Sequence, residues 1–266
     1  MKIKLLKVAI ATAVGINAMH GAQVFAQTTA LEEIIITSQR RAEDLQSVPV
    51  SVSTFSTETL NRLGVTDPQS MADFVPNLSI GDGTGRSNMG AQFSIRGVNE
   101  GRISPVLDPA IGIYIDDVYY GRPQTGFLRL LDVERVEVLR GPQGTLFGKN
   151  STGGAIRYLT KRPDVNGEVD GYLKLGAGEY NRANVSAAVN VPINDEFAAR
   201  LAVAHMSQDG YLKRLSDGVG LGEDSTDFVS ASLRYQPSND LTVDLNVNYS
   251  EATSNGGASK LIDYYQ

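Results

Sequence analysis

The sequence has no cysteine among its 266 residues and only two histidines, His20 and His205. Without cysteine no disulfide can stabilise the fold, so the size of the hydrophobic core must supply the stability. The shortage of cysteine and histidine also excludes a zinc site of the ordinary type. Scattered carboxylates could hold a hard cation, but such groups are more often solvated on the surface. We therefore expect no metal site and no cofactor.

Long apolar runs are missing as well. The run near the start covers residues 8–18, fewer than the roughly 20 residues that a membrane-spanning helix needs. Three lysines precede it, and the small residues Val24 and Ala26 follow it. This order is typical of a secretory signal peptide, which we expect to span residues 1–26 and to be cleaved after Ala26. No later segment could cross a membrane as a helix, so the exported chain is expected to be soluble or a β-barrel.

Basic residues are in the minority, with 24 Lys and Arg against 30 Asp and Glu. Loss of the three lysines of the signal peptide lowers the 24 to 21 and gives a net charge of about −9. Nucleic acid is not expected as a partner for a chain of this charge.

A glycine-rich stretch at 140–155, "RGPQGTLFGKNSTGGA", follows an apolar strand and contains a lysine. A phosphate-binding loop needs four residues between its first glycine and the Gly-Lys pair, followed by Ser or Thr. Here three residues separate Gly144 from Gly148 and Lys149, and Asn150 stands at the hydroxyl position. The following segment alternates like a strand, whereas phosphate is usually held at a helix N-terminus. We interpret the stretch as a tight connection between two strands.

Residues up to about Pro163 mix short strands with short helices, which predicts a compact α+β domain. Gly64 is expected to end one helix, and Asp67 is expected to cap the next, with Pro68 at its first position. A glycine-rich segment at 81–90 reads as a loop. The predicted strands are 48–55, 91–98, 111–120, 133–139 and 153–160, and the predicted helices are 57–64, 67–74 and 125–132.

After Pro163 a strict two-residue period replaces the helical signals. The clearest case is 241–250, in which apolar residues alternate with Thr, Asp and Asn. Such segments have one apolar and one polar face, as in a soluble sandwich or a membrane barrel. The segments with this period are 169–177, 183–191, 197–205, 227–235 and 241–250.

The connections between these segments favour the barrel. Tight turns at 192–195 and 237–240 contrast with a long polar loop at 209–226, as expected for periplasmic turns and extracellular loops. A membrane sheet with open edges would leave unpaired backbone groups in hydrocarbon. We therefore expect the 266 residues to be an N-terminal piece of a longer barrel protein.

An ordered series of segments precedes the alternating strands: "LEEIIITSQRRAEDLQSVPVSVS", "FSIRGV", "PAIGIYIDDVYYGRPQTGFLRLLDVERVEVLRGP" and "QGTLFGKNSTGGAIRYLTKRP". The series strongly resembles TonB-dependent outer-membrane receptors. The resemblance implies an α+β plug domain followed by antiparallel transmembrane β-barrel strands, in a barrel of about 22 strands. It assigns residues 27–43 to a TonB box and linker, 44–162 to the plug and 163–266 to the first barrel strands.

Three sets of site residues follow from the resemblance. The TonB box maps onto Glu33, Ile34, Ile35, Ile36, Thr37 and Ser38, a β-branched run suited to strand addition; it could instead be the first strand of the plug. Arg96 and Arg140 are expected to contact barrel carboxylates, or alternatively loop carbonyls and plug acids such as Asp116 and Glu137. The outward plug loops at 81–90 and 99–109 are expected to contact ligand through Arg86, Ser87, Asn88, Asn99 and Arg102.

The function implied is import of a scarce ligand across the outer membrane, driven by TonB and its inner-membrane energising complex. Outer-membrane lipid is the second partner. The ligand would be a metal chelate, cobalamin or an oligosaccharide, with a ferric siderophore or a similar chelate as the first choice. An exported β-rich adhesion protein is the alternative, and it would need neither coupling segment nor plug. An enzyme is disfavoured because the sequence has no Gly-x-Ser-x-Gly motif and His205 falls on an outward-facing strand position.

Overall fold

The computed structural model describes residues 35–36, 43–44, 50–65, 67–82, 91–99, 107–121, 131–214 and 217–255. At its start, β1 (Ile35–Ile36) pairs antiparallel with β2 (Glu43–Asp44). The signal peptide predicted over residues 1–26 lies outside the described residues.

A five-stranded mixed sheet, called here the plug sheet, forms the centre of the α+β domain. The strands of this domain are β3 Ser51–Ser56, β4 Leu78–Asp82, β5 Ala91–Ile95, β6 Ile111–Ile115, β7 Val118–Tyr120, β8 Val133–Arg140 and β9 Gly154–Thr160. The plug sheet has the strand order β3-β8-β9-β6-β7, in which β6 and β9 run parallel and the other neighbours are antiparallel. Strands β4 and β5 form a separate antiparallel pair.

Two helices, α1 (Thr57–Leu63) and α2 (Pro68–Ala72), follow β3; α1 ends and α2 begins where the capping residues predict. Gly64 ends α1 in the left-handed conformation, with φ of 69°, which glycine adopts at little cost. The Asp67 carboxylate accepts a hydrogen bond from the backbone N–H of Ser70 at 2.8 Å and caps α2. Both predictions are confirmed.

The core of this domain lies between these helices, the β4–β5 pair and the plug sheet. Met71 of α2 and Ile95 of β5 are completely buried, as are Val136 and Val138 of β8. Apolar burial of this kind stabilises a fold by roughly 1.5–3 kcal/mol per large side chain.

Three sequence predictions in this domain differ from the structure in detail. Residues 111–120 form a hairpin and not one strand, because Asp116 and Asp117 turn the chain with φ of 47° and 67°. Two successive positive φ values make the type I′ turn that matches the strand twist, and aspartate tolerates them. The glycine-rich connection contains a short helix, α3 (Gly144–Phe147). Of the helix predicted over 125–132, the described residues Leu131 and Asp132 are not helical.

A second sheet, called here the wall sheet, contains the strands with the two-residue period. The wall strands are β10 Asp170–Gly178, β11 Arg182–Pro192, β12 Phe197–Gln208, β15 Asp224–Ser238 and β16 Leu241–Ser254. They pair antiparallel in the order β10-β11-β12-β15-β16. The connection between β12 and β15 holds a small pair, β13 (Leu212–Lys213) and β14 (Gly220–Leu221), so the predicted loop at 209–226 is partly strand.

The two faces of the wall sheet differ as the alternation predicts. On β16 the apolar residues from Leu241 to Tyr249 are exposed on one face. The eight steps from Leu241 to Tyr249, at about 3.4 Å each on a strand tilted by about 40°, give an apolar band roughly 21 Å tall, close to the approximately 25 Å typical of barrels in membranes. Aromatic pairs lie near both ends of the strands, Phe197 with Tyr235 at 4.4 Å and Tyr180 with Tyr211 at 6.1 Å.

The helices that the structure describes are all too short or too polar to cross a membrane.

Candidate functional site: the contact between plug and wall

A buried ion pair joins the start of β8 to the inner face of the wall sheet. Arg200 of β12 donates from Nε to Asp132 Oδ2 at 2.8 Å and from a terminal nitrogen to Asp132 Oδ1 at 2.6 Å. The two side chains are 4% and 6% exposed. A planar guanidinium matches a carboxylate in this two-pronged geometry, which fixes the direction as well as the distance of the contact. Asp132 has φ of 49°, in the left-handed region that aspartate tolerates better than most residues other than glycine.

A second ionic contact lies where the chain leaves the plug sheet. Arg162, just after β9, donates to Asp244 of β16 at 2.7 Å. Arg234 of β15 binds the same carboxylate at 2.7 and 3.1 Å, so Asp244 accepts from two guanidinium groups. Asp116 lies 3.9 Å from Arg162 on the plug side. These groups are partly exposed, which weakens each pair relative to the buried one.

One further hydrogen bond crosses the same interface, from Lys174 Nζ of β10 to Asn61 Oδ1 of α1 at 2.7 Å. Just past the plug, the backbone N–H of Asp164 donates to Asn190 Oδ1 of β11 at 3.1 Å. Wall strands β10, β12 and β16 thus each contribute a side chain to the contact with the plug.

Inside the plug sheet a buried network surrounds Arg157 of β9. Its guanidinium donates to Glu137 and to Asp117, each at 2.6 Å, and lies 5.7 Å from the centre of the Phe147 ring. Glu137 also accepts from Arg135 at 3.0 Å. Arg157 and Glu137 are almost completely buried, so their pairing compensates for the loss of hydration. Burial likewise raises the pKa of the neighbouring Tyr158 hydroxyl far above its usual range.

The two arginines predicted to contact the barrel lie at the other end of β8 from Asp132. Arg140 donates to the Pro76 carbonyl at 3.5 Å, and its buried Nε has no hydrogen-bond partner among the described residues. Arg96 is exposed, has φ of 55° and places its guanidinium beside Gly141. The plug acids named as alternatives are engaged elsewhere, Glu137 by Arg157 and Asp116 by Thr160. Contact of either arginine with a barrel carboxylate stays a prediction.

The other predicted site residues are only partly described. Ile35 and Ile36 form β1, while Glu33, Ile34, Thr37 and Ser38 lie outside the described residues. Asn99 is exposed at the end of the segment that follows β5. Arg86, Ser87, Asn88 and Arg102 lie outside the described part.

His205 lies on the outward face of the wall sheet, as predicted. Its Nδ1 is 2.8 Å from Asp227 Oδ1 on the neighbouring strand, and both side chains are about half exposed. Within the described ranges no three His, Cys, Asp or Glu side chains are grouped as metal ligands would be.

Residues 44–155 match the TonB-dependent Receptor Plug Domain. These residues are a TonB-dependent receptor plug domain. The fold predicted from the sequence, an α+β plug followed by antiparallel barrel strands, is confirmed. The wall sheet is therefore barrel wall, and the ionic contacts above join plug to barrel.

Curated relatives match over part of their length. The pesticin receptor of Yersinia pestis is 31% identical over 173 residues, which are 64% of this chain and 25% of the relative. The vitamin B12 transporter BtuB of Vibrio vulnificus is 23% identical over 212 residues, which are 79% of this chain and 33% of the relative. The chain thus spans about a quarter to a third of these relatives.

Solved structures of outer-membrane receptors superpose on most of this chain. The ferric yersiniabactin uptake receptor FyuA of Yersinia pestis superposes with a TM-score of 0.64 at 28% identity, covering 71% of this chain and 29% of that chain. The pyoverdine outer membrane receptor FpvA of Pseudomonas aeruginosa PAO1 gives 0.66 at 17% identity, covering 82% and 30%. At that identity the likeness to FpvA concerns the fold alone.

Proposed function

We propose that this chain supplies the plug, the coupling segment and the first barrel strands of an outer-membrane receptor that imports a ferric siderophore with energy from TonB. The observation that carries the proposal is the buried Asp132–Arg200 contact between plug and wall. The two-pronged contact fixes the orientation of the plug against the wall, and removal of one partner from such a pair costs roughly 3–5 kcal/mol because it leaves a buried charge uncompensated. A plug held in this way needs an external source of work before a large ligand can pass.

The coupling segment is proposed at Glu33 to Ser38, with TonB as its partner. Among the described residues, Ile35 and Ile36 pair with Glu43 and Asp44. A two-stranded pair of this length is marginal by itself, so its backbone groups are available for exchange with a strand of a partner. Strand addition of this kind needs backbone N–H groups, and that requirement makes the segment testable with proline.

The siderophore class is proposed from the relatives. FyuA, at 28% identity, is a ferric yersiniabactin uptake receptor, although BtuB, at 23% identity, is a vitamin B12 transporter. Ligand contact is proposed at the plug loops that carry Arg86, Ser87, Asn88, Asn99 and Arg102.

The proposed domain limits are those of the sequence analysis. They comprise a leader cleaved after Ala26, a coupling segment and linker at 27–43, a plug at 44–162 and barrel strands from 163. The plug family match over 44–155 supports the third of these.

The test is uptake by cells that carry the receptor in the outer membrane, with and without TonB. Three labelled probes are offered: ferric yersiniabactin, ferripyoverdine and cyanocobalamin. We expect TonB-dependent uptake of one of the two iron chelates. Uptake of cobalamin alone would change the proposed ligand class from siderophore to cobalamin. Surface binding without uptake would favour the adhesion function.

Ile35→Pro should reduce uptake at least tenfold and leave binding to whole cells unchanged, because proline removes a backbone donor from the coupling segment. Arg41→Pro, in the linker, is the matched control and should transport normally. Normal uptake by Ile35→Pro would remove the assignment of the coupling segment.

A further inference from the structure

Two cavities lie between the plug and the inner face of the wall sheet. The first, called here the upper cavity, has a volume of about 390 Å³ and is bounded by α1 and the start of β8 on the plug side and by β10, β11 and β12 on the wall side. The second, called here the lower cavity, has a volume of about 360 Å³ and lies where the chain passes from β9 into β10. The plug therefore leaves room beside these three wall strands.

The strand register shows that the cavities follow one another along the wall. The lower cavity is lined by one row of paired residues on β10, β11 and β12: Asp170, Asn190 and Arg200. The upper cavity is lined by another row on the same three strands: Gly176, Asn184 and Met206. The two rows are separated by six residues of β10, or about 20 Å of strand. The cavities thus cover most of the height of the wall on this side.

The Asp132–Arg200 pair lies at the boundary between the two cavities. Asp132 lines the upper cavity and Arg200 lines the lower one, and the two-pronged hydrogen bonds join them across the boundary. Lys161 lines both cavities, and its backbone N–H donates to the Asp132 carbonyl at 2.9 Å. The boundary is therefore one layer of side chains thick, and the paired charges close it.

Each cavity is lined by a residue with a buried polar atom that has no hydrogen-bond partner within the described part of the chain. These atoms are Asn184 Oδ1 in the upper cavity and Asn190 Nδ2 in the lower cavity. Asn190 is 2% exposed, and its Oδ1 accepts from the Asp164 N–H, which leaves its Nδ2 as a donor to the cavity. Buried amide groups are ordinarily hydrogen-bonded, and both cavities have room for several water molecules. We conclude that both cavities are hydrated.

Carboxylates outnumber basic groups around the two cavities. The acidic side chains that line them are Glu58, Asp132, Glu134, Asp164, Glu168 and Asp170. The basic side chains are Lys161, Arg162, Lys174 and Arg200. Six negative against four positive charges give a balance of −2, and loss of Arg200 would change it to −3. Because acidic linings favour cations over anions, small hydrated cations are the solutes that these cavities suit.

We propose that the two cavities are the halves of one hydrated path beside the plug, and that the Asp132–Arg200 pair is the seal that keeps small cations from crossing it. The test is the conductance of planar lipid bilayers that contain the membrane-embedded receptor in KCl. Arg200→Ala with Asp132→Asn removes both charges and the long side chain, and should raise the conductance per receptor at least about tenfold over wild type. Arg200→Met with Asp132→Asn removes the same charges but keeps a long side chain at the boundary, so it should conduct like wild type. Equal conductance of the two double variants would overturn the seal.

A reversible block in the same bilayer separates an open boundary from a damaged fold. Arg200→Cys with Asp132→Asn should conduct like the alanine variant, and the chain has no other cysteine to react. A methanethiosulfonate reagent that carries a trimethylammonium group adds a long cationic side chain at this position. The reagent should return the conductance to the wild-type value, and dithiothreitol should restore the open conductance by removing the added group. A conductance that the reagent leaves unchanged would place the leak elsewhere and overturn the proposal.

The solute class is read from the reversal potential in a KCl gradient. The open variant Arg200→Ala with Asp132→Asn should favour K⁺ over Cl⁻, and addition of Asp170→Asn should lower that preference about twofold without closing the path. Lys174→Ala is the control for position, because Lys174 lines the upper cavity away from the boundary, and it should conduct like wild type. Preference for Cl⁻ would overturn the assignment to cations, and conduction by Lys174→Ala would overturn the place of the seal. These measurements need no ligand, so they are independent of the uptake result.

Discussion

Arg200→Met should release the plug from the wall more often than any change at the exposed contacts. The substitution leaves the Asp132 carboxylate buried, 6% exposed and without its cation. Two unit charges about 4 Å apart attract by about 4 kcal/mol at an effective dielectric constant of 20. Loss of one partner from a buried pair costs roughly 3–5 kcal/mol, which agrees with that value. The population of the undocked plug should therefore rise about 100-fold to several thousand-fold, at about 1.4 kcal/mol per tenfold change.

Undocking can be measured by the reaction of a cysteine placed beneath the plug. Ala202 lies two residues beyond Arg200 on the same face of β12 and is 3% exposed. In an Ala202→Cys background, the rate of maleimide labelling in outer-membrane vesicles reports how often the plug leaves the wall. Arg200→Met should raise that rate at least 100-fold, whereas Lys174→Met, at an exposed contact, should raise it at most about fivefold.

The double variant Arg200→Met with Asp132→Asn shows whether the faster labelling of Arg200→Met comes from the uncompensated charge of Asp132 or from the loss of the arginine side chain alone. Asparagine suits the positive φ of Asp132 and removes the stranded charge. Replacement of both partners of a buried pair is often close to neutral, so most of the increase in labelling should disappear. If the double variant labels as fast as Arg200→Met, or if Arg200→Met labels like Lys174→Met, the buried pair does not hold the plug.

Two further outcomes are expected. Leu245→Arg, in the middle of the apolar band of β16, should lower the free energy of unfolding in lipid vesicles by roughly 2–4 kcal/mol in a urea titration, whereas Glu251→Arg near the edge should change it by at most about 1 kcal/mol; equal effects would contradict the assignment of the band. Because Lys149 lowers the pKa of Asp108 below 3.8 and Asp108 raises that of Lys149 above 10.5, their ion pair should persist from about pH 5 to 9. The mobility of a nitroxide label at Leu107→Cys, beside Asp108, should rise as Asp108 is protonated below pH 3.8 and as Lys149 loses its proton above pH 10.5, and a rise near pH 6 would contradict the pairing.

Local signals in the sequence were sufficient to predict much of the fold. The caps at Gly64 and Asp67 act within one turn of helix, so their chemistry is visible in a few neighbouring residues. The alternation along β16 is likewise local, because side chains of a strand point to its two faces in turn. The hairpin at Asp116 and Asp117 was missed because Asp-Asp is a weaker turn signal than Asn-Gly or Asp-Gly.

The contacts between plug and wall could not be predicted in the same way. Asp132 and Arg200 are 68 residues apart, and Arg162 and Asp244 are 82 residues apart. Each pairing depends on strand register and on how the plug is oriented against the barrel, which no local pattern contains. The close approach of Gly153 to Val98, where an added Cβ would lie 2.9 Å from Val98 Cβ, was missed for the same reason, since the two residues are far apart in the sequence.

The inner face of β12 nevertheless carries a signal that was present in the sequence. Ala198, Ala202 and Ala204 are all buried on this face, and Arg200 is the one long side chain among them. A water-filled lumen would favour polar side chains there, whereas a lumen filled by a plug leaves room only for small ones. A long cation among small residues is then placed to reach a partner on the plug, as Arg200 does with Asp132. Arg234, which follows Ser230 and Ser232 on the inner face of β15, binds instead the wall carboxylate of Asp244, which Arg162 of the plug also binds, so its link to the plug runs through Asp244. Small residues around one long charge therefore indicate where a wall strand contacts its plug.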